Sequence, residues 1–508
     1  MHERIMSWIE KVAYKAVCII SLVIAGYLLI QDFVMRIRID SAETVSFGAQ
    51  AWWIYLLALA AMVALCCTAK KYIKKILTDK TLIWGTIVYA VLLLLFVVTV
   101  RMEPRADQQI VLQIADQVAK GDFSAWQKSA YCDMYPNQYG LIVIMAALTK
   151  FLGTYNWLAY QCLNVLFIIL AAWGVRKSVS LVFENEAVAS ISYAISLLYL
   201  PLASYVTFVY GTLPGLACVS VGMYCLLLGW QKDRLLPCGI GALLVVAAGI
   251  LKNNYLIAII AVGIVGLFLF IQHKRWKIAV SIVLLAVVYL LLNSGVNLYI
   301  GSKTAVRDQG GIPSVAWVAM GLQDGGTKGP GWYTSYAKDV YWDHDSNKEL
   351  AGKAAKESIR ESLTKMKEDP AYGIDFFNKK TASQWNEATF ESVWINQFRT
   401  QNDGMPGWLK RLYNDNSKVN HWYAGICDVA LFLIWFGIIL FVIAVWREQD
   451  IRKIAWLILL IGGFLFHLFW EAKGQYTVVY VWLCIPYCIW GYKRMSGWMI
   501  SLIQKKRA

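Results

Sequence analysis

The sequence predicts an all-α polytopic membrane protein of about 12 transmembrane helices, with juxtamembrane helices and one large helical loop outside the bilayer. Three observations lead there. Hydrophobic residues make up 58% of the 508 and charged residues only 16%, far from a soluble domain. Nearly uncharged windows recur, each on the order of 20 residues, enough to cross a hydrocarbon core of ~30 Å. The formal charge of +15 is concentrated in short connectors beside those windows, which points to membrane lipids and not nucleic acid as its partner.

The spans fall near 12–31, 50–67, 81–100, 157–175, 187–203, 208–230, 236–251, 254–272, 278–299, 425–446, 454–470 and 475–492. Val12 to Ile30 is followed directly by Gln31, Asp32 and Phe33 with no small-residue cleavage pattern, so it is expected to remain as a span. Of the 11 cysteines, Cys18, Cys66, Cys67, Cys162, Cys218, Cys225, Cys238, Cys484 and Cys488 lie within spans and Cys132 in a loop. That distribution predicts no disulfide framework, and no CxxC pair or Cys/His cluster suggests zinc.

One short segment decides the orientation. Gly140 to Leu152 is apolar but only about 13 residues long, preceded by Tyr135-Pro136-Asn137-Gln138, and too short to span. Read as an interfacial helix, it leaves Arg176/Lys177, Lys232/Arg234, Lys274–Lys277 and Arg447–Lys453 inside. Lys70, Lys71, Lys74, Lys75 and Lys80, and the tail residues Lys493, Arg494, Lys505, Lys506 and Arg507, join them. Read as a span, it reverses every later cluster against the positive-inside rule. The expectation is a multi-pass protein of a bacterial plasma membrane with both termini cytoplasmic.

Four regions follow: 1–80, an N-terminal two-helix addition; 81–299, a transmembrane core with its first outward loop at 101–156; 300–424, an extracytoplasmic helical loop; and 425–508, C-terminal spans and a basic tail. The second loop carries 16 Lys/Arg against 15 Asp/Glu, a near-balance that suits an outward position. Ala354, Ala355, Ile359, Leu363 and Met366 recur at helical spacing until Pro370 stops the run. Phe376, Phe377, Trp385, Phe390 and Trp394 then suggest helices lying against the membrane surface or the bundle.

Polar residues that apolar packing would not choose occur at four outward helix ends. Met102-Glu103-Pro104-Arg105-Ala106-Asp107-Gln108-Gln109 precedes a helix marked by Val111, Leu112, Ala115, Val118 and Ala119. Asp107 there is either an N-cap or a carboxylate acting on a substrate hydroxyl. Within Pro201–Gly211, Tyr205 and Tyr210 are interface anchors or line a sugar or lipid pocket. Lys252, in Leu251-Lys252-Asn253-Asn254-Tyr255, either snorkels to headgroups or binds a phosphate oxygen with Asn253 beside it. In Trp470-Glu471-Ala472-Lys473-Gly474-Gln475-Tyr476, Glu471 and Lys473 neutralise each other or serve a site. His467, one turn earlier, reads as a packed histidine.

EPRADQQIVLQIADQVAKGDF, YPNQYGLIVIMAALTKFLG and WEAKGQY together resemble the GT-C superfamily of membrane glycosyltransferases, in particular the protein O-mannosyltransferase and aminoarabinose lipid A transferase group. The resemblance covers roughly residues 81–492. It departs from the pattern at Tyr135-Pro136-Asn137-Gln138, where one proline stands for the usual two, and in lacking an acidic partner beside Asp107; Glu103, Asp116 and Asp133 compete for that role.

The resemblance implies a GT-C-like fold and transfer of a sugar from a polyprenyl-phosphate-linked donor to an extracytoplasmic glycan, lipid or protein acceptor, with inversion. It makes Asp107 the base, Lys252, Lys473 and Arg105 the cations for the donor phosphate, and Glu471, Tyr476, Tyr210, Asn253 and Glu103 the supporting residues. No dissociable cofactor is required, and a divalent cation is compatible. Two other classes remain in competition: a flippase or transporter of lipid-linked glycan, and a polymer ligase or polymerase using polyprenyl-linked glycans.

Overall fold

A chain crossing hydrocarbon must satisfy its backbone N–H and C=O groups internally, and helices do this within one segment. The computed structural model describes residues 2–304, 310–395 and 399–507, and these are overwhelmingly helical. α1 (His2–Val34) leads into an antiparallel hairpin, β1 (Met35–Ile39) and β2 (Val45–Ala49), in which Met35 faces Ala49 and Ile39 faces Val45. Here the all-α expectation meets its one exception among the described residues. The alternation MRIRI buries Ile37 and Ile39 and turns Arg36 and Arg38 the other way, the period of a strand.

α2 (Trp52–Ile76) and α3 (Asp79–Val100) follow, then the first loop with α4 (Asp107–Ala119), α5 (Tyr131–Met134) and α6 (Tyr139–Leu152). α6 has 14 residues and lies against α4. The core continues with α7 (Trp157–Phe183), α8 (Glu186–Leu198), α9 (Leu200–Ser204), α10 (Thr212–Lys232), α11 (Leu235–Leu251), α12 (Leu256–His273) and α13 (Trp276–Lys303). The second loop holds α14 (Ser314–Gly321), α15 (Tyr336–Trp342), α16 (Lys348–Glu368), α17 (Pro370–Trp385) and α18 (Gly407–Leu412). α19 (Lys418–Val445), α20 (Ala455–Phe469), α21 (Gly474–Leu483) and α22 (Ile485–Arg507) close the chain.

The protein is a multi-pass membrane protein with eight helices long and apolar enough to cross, or nine with the bent pair α8–α9, among the described residues. The other three expected spans fall on shorter or interrupted helices. The apolar parts of α2 (Trp52–Thr68) and α11 are short, and the last expected span is interrupted at Cys484 between α21 and α22. Pro370 both stops α16 and opens α17, whose first turn is capped by Asp369 accepting from Tyr372 N at 3.0 Å.

The basic connectors share one end of the bundle. Tyr14 donates to Val445 O at 2.9 Å, Gln272 to Glu10 at 3.4 Å, Arg275 to Trp230 O at 3.1 Å and Arg176 to Asp79 at 2.7 Å. Phe183 packs on Trp490 beside Lys453. The side chains of Lys70, Lys71, Lys74, Lys75, Lys505, Lys506 and Arg507 lie outside the described residues. Asp107, Lys252, Glu471 and Lys473 stand at the opposite end, with both large loops.

The first two helices pack into the bundle, α1 against α19 and α20. The end of α1 is tied to the second loop: Gln31 donates to Asn378 Oδ1 at 2.8 Å, and Asn386 donates to Leu28 O at 2.9 Å.

Candidate active site

The recess forms where a helix breaks. Leu200 precedes Pro201, a position that resists the helical conformation, and α8 and α9 bend there by 52°. The following residues, to Gly211, leave buried carbonyls that hydrocarbon cannot solvate. α7 supplies the partners. Gln161 donates to Met102 O at 2.7 Å and Thr207 O at 2.8 Å, and Asn164 donates to Val206 O at 3.1 Å and Phe208 O at 2.9 Å. Tyr160 donates to Tyr210 O at 3.1 Å, and Val209 N donates to Gln108 Oε1 at 2.9 Å. Polar side chains in a spanning helix are thus spent on fixing Tyr210 in place.

Gly211 brings this turn against α11. A Cβ there would stand 2.1 Å from Leu251 O and 3.2 Å from Lys252 Cβ. Lys252, 7% exposed, donates to Thr212 Oγ1 at 2.8 Å and is ringed by Phe208, Tyr210 and Tyr476 at 5.9, 5.6 and 5.4 Å. The π faces attract the ammonium, yet no carboxylate pairs with it among the described residues. Burial pulls its pKa down to about 7, opposed by the charge of Glu391.

Asp107 is not the N-cap of α4. Ala106 takes that position at φ 50°, and Asp107 is the first helical residue. Its carboxylate is accessible, yet burial is the largest influence on it and pushes its pKa up. The Tyr131 hydroxyl and Lys473 oppose the rise, and Glu43 adds to it. Tyr210, Tyr476 and Glu471 also lie within electrostatic reach of Asp107.

The opposite wall is the turn from α20 to α21. Ala472 N donates to Gly331 O at 2.7 Å, and the buried Lys380 clamps the turn through Trp470 O at 2.8 Å and through Gly321 O. Glu471, 4% exposed, accepts from the Tyr476 hydroxyl at 3.2 Å, and burial raises its pKa to about 7. Lys473, 8% exposed, lies over Trp332 at 5.2 Å and donates to Glu43 at the tip of the hairpin. Its pKa is raised, because Glu391, Glu43 and Glu471 together outweigh its burial.

Residues 386–395 correct the expectation of surface helices at Phe390 and Trp394. They form an irregular, buried segment, because Glu387 and Asn386 satisfy backbone and side-chain groups that no helix binds. Glu387 accepts from Thr389 Oγ1 at 2.7 Å and Glu391 N at 3.2 Å, and Asn386 Oδ1 accepts from Trp435 at 3.0 Å. Phe390 and Glu391 have φ of 49° and 65°, a conformation that costs a non-glycine residue about 1–3 kcal/mol. Glu387, Glu391, Glu43 and Lys380 were not singled out by sequence reasoning. The polar spacing of NEATFES within an aromatic run was the signal for the first two.

The structure thus brings Asp107, Lys252, Glu471, Lys473, Tyr210 and Tyr476 together. Arg105 lies at the hairpin, donating to Ser41 O at 3.4 Å and lying 5.9 Å from the Trp394 ring. Glu103 faces away, accepting from Tyr155 at 2.9 Å and Gln401 at 2.7 Å. Asp116 accepts from Thr149 at 3.2 Å and Asp133 from Ser129 N at 2.9 Å, so both are engaged in packing the loop. Asn253 is exposed at the turn after Lys252. His467 is buried and stacks on Tyr476. Among the described residues no three His, Cys, Asp or Glu side chains converge as metal ligands.

The family described as conserved hypothetical integral membrane protein matches residues 4–486. No curated protein matches the sequence. Among solved structures, the archaeal oligosaccharyltransferase AglB from Archaeoglobus fulgidus, in complex with an inhibitory peptide and a dolichol-phosphate, is similar at 11% identity and a TM-score of 0.43, over 83% of this chain and 50% of that one. ArnT from Cupriavidus metallidurans bound to undecaprenyl phosphate is similar at 14% identity and a TM-score of 0.37, over 82% of this chain and 78% of that one. The chain spans about half the length of AglB.

Proposed function

From the premise that the chain belongs to the family described as conserved hypothetical integral membrane protein, we propose that it is a GT-C-type glycosyltransferase. It moves a sugar from a polyprenyl-phosphate-linked donor to an extracytoplasmic glycan, lipid or protein acceptor. One observation carries the reading: the exposed Asp107 lies within electrostatic reach of the buried Lys473 and of Tyr210 and Tyr476, the rings that flank the buried Lys252. The end of the bundle opposite the basic connectors is the outward one by the positive-inside rule.

In this reading Asp107 takes the proton of the acceptor hydroxyl, a step worth about 10²–10⁴ in rate. Its raised pKa makes it the better base. The acceptor oxygen bonds to the anomeric carbon from the face opposite the phosphate, while the old carbon–oxygen bond breaks and its electron pair leaves with the polyprenyl phosphate. Lys252, Lys473 and Arg105 stabilise that charge. Tyr476 and Glu471 fix the Lys473 turn, and Tyr210 forms part of the wall around Lys252. Glu103 and Asn253, set back from the recess, serve the loops that bound it. The polyprenyl tail lies between the helices around 187–272. The chemistry needs no dissociable cofactor, and chelation tests for a divalent cation.

The test is product formation by the purified chain in lipid nanodiscs with a radiolabelled polyprenyl-phosphate sugar. A transferase forms a new glycosidic bond on an acceptor. A carrier moves label into sealed liposomes and leaves the donor intact, and that outcome overturns the proposal.

A further inference from the structure

The hairpin between α1 and α2 ends in the turn Asp40-Ser41-Ala42-Glu43-Thr44. Other groups hold this turn: Asp40 Oδ1 accepts from Ala42 N and Thr44 N, both at 2.9 Å, its carbonyl accepts from Glu43 N at 2.9 Å, Ser41 N donates to Asp415 Oδ2 at 3.2 Å, and Ser41 O accepts from Arg105 at 3.4 Å. The carboxylate of Glu43 is therefore not needed to form the turn. Yet Glu43 sits at φ 63°, where glycine is free and other residues are strained. A side chain is kept at a position whose backbone favours having none.

That side chain points to the cations of the recess. Lys473 donates to Glu43 Oε1, Lys328 stands 3.6 Å from Oε2, and Arg105 is within electrostatic reach. Three cations thus converge on one carboxylate. Glu391 and Glu471 also face Lys473, but Glu43 is the carboxylate in direct contact with Lys473 and Lys328, and a phosphate offers the same kind of anionic oxygens with more charge.

We propose that Lys473, Lys328 and Arg105 form a phosphate subsite which Glu43 fills as a built-in substitute anion, and that the hairpin tip withdraws when a phosphate takes its place. The ligand chemistry is a phosphate ester, from a polyprenyl phosphate or from free phosphate. The inference deepens the reading of Lys473 and Arg105 as donor-phosphate cations and adds Lys328 and the N-terminal hairpin to the site. It treats Glu43 as a competitor of the ligand. A purely structural latch makes the opposite prediction, because removing it would loosen the recess.

The experiment measures binding to the full chain in nanodiscs, with farnesyl phosphate and inorganic phosphate as separate probes and farnesol as the neutral control. Glu43→Gly suits the turn's backbone and Glu43→Gln keeps the shape, so one variant guards against misfolding of the other. Both are expected to bind phosphate about tenfold tighter than the parent, with farnesol unchanged, and Lys328→Ala added to Glu43→Gly is expected to remove most of the gain. A gain confined to farnesyl phosphate identifies a lipid-linked ligand, and an equal gain with inorganic phosphate identifies the free anion; both support the subsite. Unchanged or weaker binding of both phosphates overturns it. Because binding is read without turnover, a chain that gains affinity but forms no glycosidic bond refutes the transferase and leaves the subsite standing.

Discussion

Glu391 caps a helix from inside a buried loop: its Oε1 accepts a hydrogen bond from Gly474 N at 2.7 Å, at the first residue of α21. The contact joins the irregular 386–395 segment to the turn that carries Glu471 and Lys473. An anion at a helix N-terminus is favourable, but here it is 1% exposed, and burial raises its pKa to about 7.

The first prediction follows from that raised value. Between the usual 4.5 and about 7 the folded protein keeps a proton on Glu391 that the unfolded chain has released. Its contribution to stability is therefore full below about 4.5 and is lost as pH rises to about 7. Glu391→Gln stays neutral, so its stability relative to the parent is expected to rise between pH 5 and 8 by on the order of 1–3 kcal/mol. Melting curves of both proteins in detergent across that range check this, and a flat or falling difference contradicts it.

Lys252 has aromatic rings and one hydroxyl around it where a carboxylate partner is absent among the described residues. Lys252→Met is expected to lower kcat/KM for the polyprenyl-phosphate donor by about 10²–10³, as loss of a preorganised charge does. The melting temperature should hold or rise, since a buried unpaired cation is removed. Steady-state kinetics on a folded variant with unchanged kcat/KM would exclude Lys252 from the donor site.

Gly211 controls the placement of Lys252 by closeness alone. Gly211→Ala pushes a methyl group into Leu251 O, at a cost of about 2–4 kcal/mol. Thermal unfolding should show the loss, and the surviving protein should have a raised KM for donor. Gly407, whose added Cβ meets nothing within 4 Å, serves as the control at which alanine is tolerated.

The topology rests on charge. Glu349, exposed on α16, and Lys274, exposed between α12 and α13, stand at opposite ends of the bundle. Cysteine at Glu349 is expected to react with a membrane-impermeant maleimide in intact cells, and cysteine at Lys274 only after lysis. The reverse pattern would invert the outward assignment.

The membrane architecture was legible because it follows from lengths and charges. Gly140–Leu152 could be read as a helix that does not cross from its length, and Pro370 as a boundary from its chemistry. The four polar helix ends were visible because apolar packing does not select Asp107, Lys252, Glu471 or Lys473. What was hidden depends on long-range contact. Nothing local in MRIRIDSAETVSFGA shows that its turn reaches Lys473, 430 residues away in sequence. Nor does a local pattern show that NEATFES is buried, since Asn386 is satisfied by Leu28, Gln31 and Trp435 from distant helices. The N-cap reading of Asp107 failed by one residue, because Ala106 adopts the unusual φ at the cap.

The most direct test of the central claim is sugar transfer from a polyprenyl-phosphate donor by purified Asp107→Asn in lipid nanodiscs. The variant keeps the size and position of the side chain but cannot accept a proton, so the account predicts a loss of at least about 10² in kcat with donor binding and melting temperature retained. Transfer at the parental rate would contradict it.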